Sequence, residues 1–177
     1  MTVSKFAIAA CALLSLTACN KPAASSSADE GQTMVMAEPK EYTPAEKAAI
    51  QATFPAPYNT ADLAAGEKQF NKCRACHTIT PDGMNMTGPH LYGVFGRAAA
   101  TATGYTYSDA MQAHKVTWDF NTLDIYLKAP QEVVKGTKMG FMGIPNDTDR
   151  HNLIAYLKLE TTPPVASAAA AASASKP

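Results

Sequence analysis

Five consecutive residues, Cys73-Arg74-Ala75-Cys76-His77, constrain this chain more than any other part of its sequence. Two thiols at this spacing can both add to the vinyl groups of one haem, and the next residue offers an imidazole to the iron. A zinc site would need two more Cys or His at comparable spacing, and a thioredoxin-like redox pair would need a βαβ context. The sequence offers neither. The motif therefore predicts one haem c, attached covalently through Cys73 and Cys76, with His77 as an axial ligand.

Residues 1–18 have the pattern of a secretory signal peptide. Lys5 gives a positive start, and the apolar stretch from Phe6 to Leu16 is too short to span a bilayer. The following Leu16-Thr17-Ala18-Cys19 resembles a bacterial lipobox, in which the peptide is cut before a cysteine that is then acylated. We therefore predict a lipid anchor at Cys19, on the periplasmic side of a bacterial cell membrane. Ordinary cleavage that leaves Cys19 as a free thiol is the alternative.

The cysteine count agrees with this interpretation. Of the four cysteines, Cys11 would leave with the signal peptide and Cys19 would take the lipid. A disulfide between Cys73 and Cys76 would close a very small loop and stabilise little. These two thiols are therefore left for the haem.

Composition divides the remaining chain into a tether, a domain and a tail. Residues 19–59 are rich in Ala, Ser, Pro, Glu and Lys, so we expect a flexible, lipid-anchored tether. Within it, Thr43-Pro44-Ala45-Glu46 has the signature of a helix start and predicts a short helix over 44–53. The folded domain is expected over 60–160. The Ala/Ser/Pro tail over 161–177 is expected to be disordered.

The domain is predicted to be all-α, with about four helices and long loops. Thr60 can cap a helix that runs through Lys72, a further helix is expected over 121–129, and the last begins near Thr148. The region 78–117 is rich in Gly, Pro and Thr and has no sustained period. Such a run in a compact domain indicates that something other than peptide fills the core.

Charge excludes one class of partner. Lys+Arg and Asp+Glu both number 15, so the formal net charge is zero, and no block of like charge is longer than two residues. A nucleic-acid-binding surface needs a basic excess. We therefore expect no nucleic-acid partner.

Motifs on both sides of the cysteines resemble the class I cytochromes c of mitochondrial and bacterial respiratory type. The similarity extends over residues 60–160 and implies the class I fold: a single haem domain with long loops around the haem. It also implies an electron carrier without enzymatic activity or small-molecule substrate. The motifs, in chain order, are Gly66 to Phe70, Thr87-Gly88-Pro89, Leu91-Tyr92-Gly93, Gly96-Arg97, Tyr105 to Ser108, Trp118, Thr122-Leu123, Tyr126-Leu127, Pro130, Gly136-Thr137-Lys138-Met139 and Leu153 to Leu157.

The resemblance implies Met139 as the second axial ligand of the iron. A thioether opposite an imidazole favours ferrous iron and raises the reduction potential. Met142 lies in the same loop and is the alternative. Tyr126 is implied beside Met139, where its hydroxyl would tune the sulfur.

Further roles follow from the same resemblance. The carbonyl of Pro89 is implied as the acceptor for the free ring nitrogen of His77, which fixes the orientation of the ring. Arg97, Tyr107 and Trp118 are implied as hydrogen-bond donors to the haem propionates, since buried carboxylates need donors and countercharge.

The resemblance implies structural roles for four further residues: Gly66, Phe70, Leu153 and Tyr156. The glycine allows the first and last helices to cross closely, and the other three side chains pack at that crossing.

The implied partners are membrane respiratory complexes, with a quinol-oxidising cytochrome complex as donor and a haem–copper oxidase as acceptor. Residues 60–160 hold seven Lys and three Arg against ten Asp and Glu, which departs from the lysine-rich docking face of soluble family members. Long-range steering should therefore be weak, and a membrane tether would supply encounters through effective concentration. Two alternatives stay open: a haem enzyme or ligand sensor, peroxidase-like or gas-binding, whose Met139 is displaceable, and a purely structural lipoprotein.

Overall fold

The computed structural model describes residues 42–163, and these residues fold into helices joined by long loops. Within this range the β-structure is one isolated antiparallel bridge, between Ala98 and Thr117. The helices are α1 (Pro44–Gln51), α2 (Leu63–Phe70), α3 (Asp109–Ala113), α4 (Phe120–Lys128), α5 (Pro130–Val133) and α6 (Asp147–Thr161), with a 3-10 turn at Tyr58–Thr60.

The all-α prediction is confirmed. The domain predicted over 60–160 holds five helices, α2–α6, against the expected four or so, and two of them, α3 and α5, are short segments of five and four residues. Over residues 42–163, the helices are too short or too polar to cross a membrane. The predicted signal peptide, Cys19 and the tail from residue 164 onward lie outside the described residues.

Side-chain caps determine where the main helices begin. Asp62 caps α2, Asp119 caps α4 and Asn146 caps α6, each by accepting a hydrogen bond from a backbone N–H three residues further on. The predicted cap at Thr60 is therefore wrong. Thr60 lies in the 3-10 turn, where its hydroxyl donates to the carbonyl of Pro57 at 3.2 Å, and α2 begins after the turn.

Helices α2 and α6 cross so closely that position 66 has no room for a side chain. A Cβ on Gly66 would overlap the carbonyl oxygen of Asn152 and would come within 2.7 Å of the Cβ of Tyr156. The rings of Phe70 and Tyr156 pack beside the crossing with their centroids 5.9 Å apart, and Leu153 is fully buried there. The structural roles predicted for these residues are confirmed.

Residues 43–60 form a strap that packs on α4 and α6, whereas the sequence interpretation counted residues 43–59 in the tether. The expected helix start at Thr43 has a complete capping box, and α1 ends at Gln51. Phe54 and Tyr58 are only 7% and 6% exposed, and their rings lie 5.4 and 4.6 Å from the ring of Phe120. Two buried aromatic side chains offset the ordering entropy of a segment whose composition otherwise resembles a tether.

Polar contacts also join the strap to the helices. The ammonium of Lys47 lies 2.7 Å from the carboxylate of Glu160 on α6. The side-chain amide of Gln51 donates to the carbonyls of Tyr58 and Ala61, at 3.2 and 2.7 Å. The ordered domain therefore includes the strap and begins well before the expected boundary at residue 60.

A buried arginine connects α4, α6 and the loop that carries Met139. The guanidinium of Arg150, on α6, is bonded to both carboxylate oxygens of Asp124 on α4, at 2.8 and 3.2 Å. It also donates to the carbonyl of Ile144 at 2.8 Å. Ile144 and Met139 both lie in the loop over residues 134–146, between α5 and α6, so the Arg150 guanidinium joins this loop to α4 and α6.

Candidate functional site

The helices and loops surround a cavity of about 470 Å³, a volume typical of cofactor sites. Its wall is mainly apolar, with Leu91, Val94, Leu123 and Leu127 among its members. Every residue that the sequence analysis assigned to the haem site lies on this wall: Cys73, Cys76, His77, Pro89, Arg97, Tyr107, Trp118, Tyr126 and Met139. Residues separated by more than 60 positions in the sequence therefore meet at one cavity.

His77 is held in one orientation. Its Nδ1 lies 2.7 Å from the carbonyl oxygen of Pro89. Because a carbonyl can only accept, Nδ1 carries the proton and Nε2 is left with the lone pair that a metal ion requires. Burial lowers the pKa of His77, which favours the neutral, ligating form. A Cβ at Gly88 would overlap the imidazole, so the residue before Pro89 has to be glycine.

The two cysteines are carried by tight turns that continue α2. The backbone N–H of Cys73 donates to the carbonyl of Phe70, and those of Cys76 and His77 both donate to the carbonyl of Cys73, at 2.9 and 3.0 Å. Cys73 is half-buried, and burial raises the pKa of its thiol to about 11, whereas Cys76 is exposed. Among residues 42–163, no cluster of three or more Cys, His, Asp or Glu could hold a metal ion, so the zinc alternative has no further ligands there.

Met139 and Met142 differ completely in their surroundings. Met139 lies on the cavity wall, and its Sδ accepts a hydrogen bond from the hydroxyl of Tyr126 at 3.3 Å. Met142 is 82% exposed and is not part of the wall. The structure therefore favours Met139 over Met142 as the side chain available to a bound cofactor.

Arg97, Tyr107 and Trp118 supply polar groups on an otherwise apolar wall. The guanidinium of Arg97 donates to the carbonyls of His90 and Tyr92, at 2.9 and 3.1 Å. The backbone N–H of Trp118 donates to the carbonyl of Arg97 at 2.9 Å, so the two residues are neighbours. Burial lowers the pKa of Arg97 and raises that of Tyr107. A cation, a phenol and an indole N–H in this setting suit the carboxylates of a ligand.

Met111 and Phe141 are among the wall residues that the sequence analysis did not name. Met111, on α3, is buried and lines the cavity, and Phe141 lies on the wall two residues after Met139. Neither belongs to a motif that marks it as different from an ordinary core residue. Their place depends on how the long loops close.

The residues present fit a haem. Two thiols follow a helix, an oriented imidazole and a thioether face the same apolar cavity, and a half-buried guanidinium is available to carboxylates. The Cytochrome c family model matches residues 63–159, which is more than half of the chain. This chain belongs to the cytochrome c family. It carries one covalently attached haem c, through Cys73 and Cys76, and it is an electron carrier rather than an enzyme.

Individual members of the family agree with this assignment. Cytochrome c-type cyt cy of Rhodobacter capsulatus is 56% identical over 99 residues, which cover 55% of this chain and 49% of the relative. Cytochrome c2 of Rhodoblastus acidophilus is 51% identical over 96 residues, 54% of this chain and 90% of the relative. Cytochrome c of Kluyveromyces lactis is 39% identical over 105 residues, 59% of this chain and 96% of the relative. The chain thus spans about half the length of the first relative and nearly all of the other two.

Proposed function

We propose that this chain is a membrane-tethered monohaem cytochrome c that carries single electrons between respiratory complexes on the periplasmic side, toward a haem–copper terminal oxidase. The observation that carries the proposal is that His77 and Met139 line the same cavity, each oriented by a hydrogen bond. Two such side chains would both ligate a haem iron and would leave no open position for a substrate.

The haem supplies one-electron chemistry when bound, and the protein residues set its surroundings. His77 would bind the iron through Nε2, with the ring held by the carbonyl of Pro89. Met139 would be the second ligand, and the hydroxyl of Tyr126, which donates to its sulfur, would withdraw electron density from it. Because both side chains are already oriented in the protein, little rearrangement would accompany a change of oxidation state.

Arg97, Tyr107 and Trp118 would hold the propionates of the haem. The carboxylates need countercharge and donors away from bulk water, and the half-buried guanidinium of Arg97 provides both. The apolar residues of the wall exclude water from the ring. A low local dielectric raises the energy of the extra positive charge of ferric iron, so this environment favours the reduced state.

The membrane tether rests on the sequence alone. Leu16-Thr17-Ala18-Cys19 predicts acylation of Cys19, and several acyl chains on one residue attach a protein stably. The balanced charge of residues 60–160 also favours a tether, because weak electrostatic steering leaves local concentration as the means of fast encounter.

Spectroscopy of the purified full-chain holoprotein tests the carrier assignment. We expect a sharp low-spin ferrous spectrum and, in the oxidised protein, a weak sulfur-to-iron charge-transfer band in the near infrared. Met139→Ala should abolish that band, and the matched control Met142→Ala should retain it because Met142 is exposed. A high-spin spectrum, or prompt carbon monoxide binding by the reduced wild-type protein, would instead support the haem enzyme or ligand sensor.

Acylation and partner choice need a separate experiment in a bacterial host. Labelled palmitate should enter the wild-type protein and the control variant Cys11→Ser, but not Cys19→Ser, which should leave the salt-washed membrane fraction. Membranes with a haem–copper oxidase should then oxidise the wild-type protein faster than Cys19→Ser. Label in Cys19→Ser would contradict the anchor, and equal oxidation by membranes that lack the oxidase would contradict the acceptor.

A further inference from the structure

His90 contacts Arg97, one of the cationic residues on the wall of the haem cavity. Its Nε2 lies 3.4 Å from the guanidinium of Arg97, which lines the cavity, and Arg97 also donates to the carbonyl of His90 at 2.9 Å. His151, by contrast, pairs with Asp124 at 3.3 Å and is not on the cavity wall. A proton on His90 would therefore lie one residue away from the haem.

The hydrogen bonds define which nitrogen of His90 is available for a proton. The amide nitrogen of Asn85 donates to the carbonyl of Thr103 at 2.9 Å, and this bond orients the amide. The amide oxygen therefore faces Nδ1 of His90, at 3.1 Å, and also accepts from its backbone N–H. Nδ1 thus donates, and Nε2 accepts from Arg97. A second proton has to enter at Nε2, against the guanidinium.

The charged surroundings of the imidazole are simple. Burial and the charge of Arg97 together lower the pKa of His90. On the Nδ1 side of the imidazole lies the neutral amide of Asn85. Burial raises the pKa of Tyr92 and of Tyr107, so both phenols beside Arg97 stay neutral near neutral pH. The charge of Asp82 raises the pKa of Tyr92 further. Protonation of His90 therefore adds a positive charge next to Arg97 that no side-chain carboxylate among these neighbours neutralises; the haem propionates proposed to bind Arg97 would be the carboxylates beside it.

We propose that His90 is a proton-linked tuning residue: it takes up a proton when the haem is reduced and acts on the reduction potential through Arg97. The proposal rests on the haem occupying the cavity as proposed above. Reduction adds one electron and removes one positive charge from the cavity, so a cation at His90 becomes less unfavourable. The proton comes from solvent, which His90 reaches because it is only partly buried.

Linkage requires the effect to be reciprocal. If reduction increases the proton affinity of His90, protonation of His90 raises the reduction potential by the same free energy. A threefold higher proton affinity in the reduced state corresponds to a rise of roughly 28 mV, at 59 mV per tenfold for one electron. The potential should therefore fall as the pH rises through the pKa of His90, on the acid side of its ordinary value of 6.5.

Potentiometric titration of the full-chain holoprotein between about pH 4.5 and 8 tests the proposal in this window. Wild type and the control His151→Gln should show the fall in potential, and His90→Gln should show a flat profile. If His90→Gln showed the same fall in potential, the titrating group would be a haem propionate, and the proposal would be overturned.

A second measurement needs no variant, so it decides the question even if His90→Gln does not assemble. NMR titration of the His90 imidazole in the wild-type holoprotein should give a higher pKa in the reduced state than in the oxidised state. Equal pKa values in the two states would overturn the proposal. Neither measurement depends on the membrane or on an oxidase, so a failure here is distinct from a failure of the tether or partner assignment.

Discussion

Replacing Phe54 with alanine tests whether residues 43–60 are an integral part of the domain. Phe54 precedes the residues that match the family model, 63–159, and lies in a segment whose composition resembles a tether. In the structure its ring is 7% exposed and packs 5.4 Å from the ring of Phe120. If the strap were loosely attached, the truncation would have almost no effect on stability.

The expected magnitude follows from the burial. Truncation of a buried phenylalanine to alanine costs about 3–5 kcal/mol, and a strap at the edge of the core should lie at the lower end, about 3 kcal/mol. For a small domain the free energy of unfolding falls by roughly 4 kcal/mol per molar guanidinium chloride. The unfolding midpoint of Phe54→Ala should therefore fall by about 0.8 M.

Guanidinium unfolding of the holoprotein at pH 7 measures this directly. The haem absorbance and the fluorescence of Trp118, the single tryptophan, report on the same cavity. The control Ile125→Ala removes an apolar side chain that is 51% exposed on α4, and it should cost less than about 1 kcal/mol. Phe54→Leu should recover most of the lost stability. A midpoint shift for Phe54→Ala no larger than that of the control would refute the packing of the strap.

Three further predictions follow from single contacts. Gly66→Ala should cost about 2 kcal/mol, because the added Cβ overlaps the carbonyl of Asn152, and an unchanged midpoint in thermal unfolding would contradict the close crossing. Tyr126→Phe should lower the reduction potential, because the sulfur of Met139 loses a hydrogen-bond donor and gives more density to the iron; an equal or higher potential would argue against this contact. Asp119→Ala should cost about 1 kcal/mol at pH 7 through loss of the α4 cap. The hydrogen bond from the backbone N–H of Thr122 is the main cause that holds the pKa of Asp119 below its ordinary value of 3.8. The carboxylate therefore stabilises the fold above pH 3.8, and this stabilisation is lost as the pH falls through the pKa of the folded state. If the difference in stability between wild type and Asp119→Ala did not narrow in acid, this reasoning would be refuted.

The local parts of the site could be predicted from the sequence. The spacing of Cys73, Cys76 and His77 is a property of five adjacent residues, and the capping box at Thr43 spans four. Features of this kind depend on covalent geometry and on hydrogen bonds between near neighbours. They form independently of how the rest of the chain folds. The resemblance to class I cytochromes c then brought in Met139 and the distant wall residues, which no local pattern connects.

Only the tertiary structure decided how distant segments meet. Met139 and Met142 are equivalent as residue types, and the path of their loop turns the first toward the cavity and the second toward solvent. Phe54 and Tyr58 belong to the core because α4 and α6 offer a surface for them, although the segment around them has the composition of a tether. The physical reason is that burial depends on which surfaces come together across the chain, whereas caps and attachment motifs depend on neighbours within it.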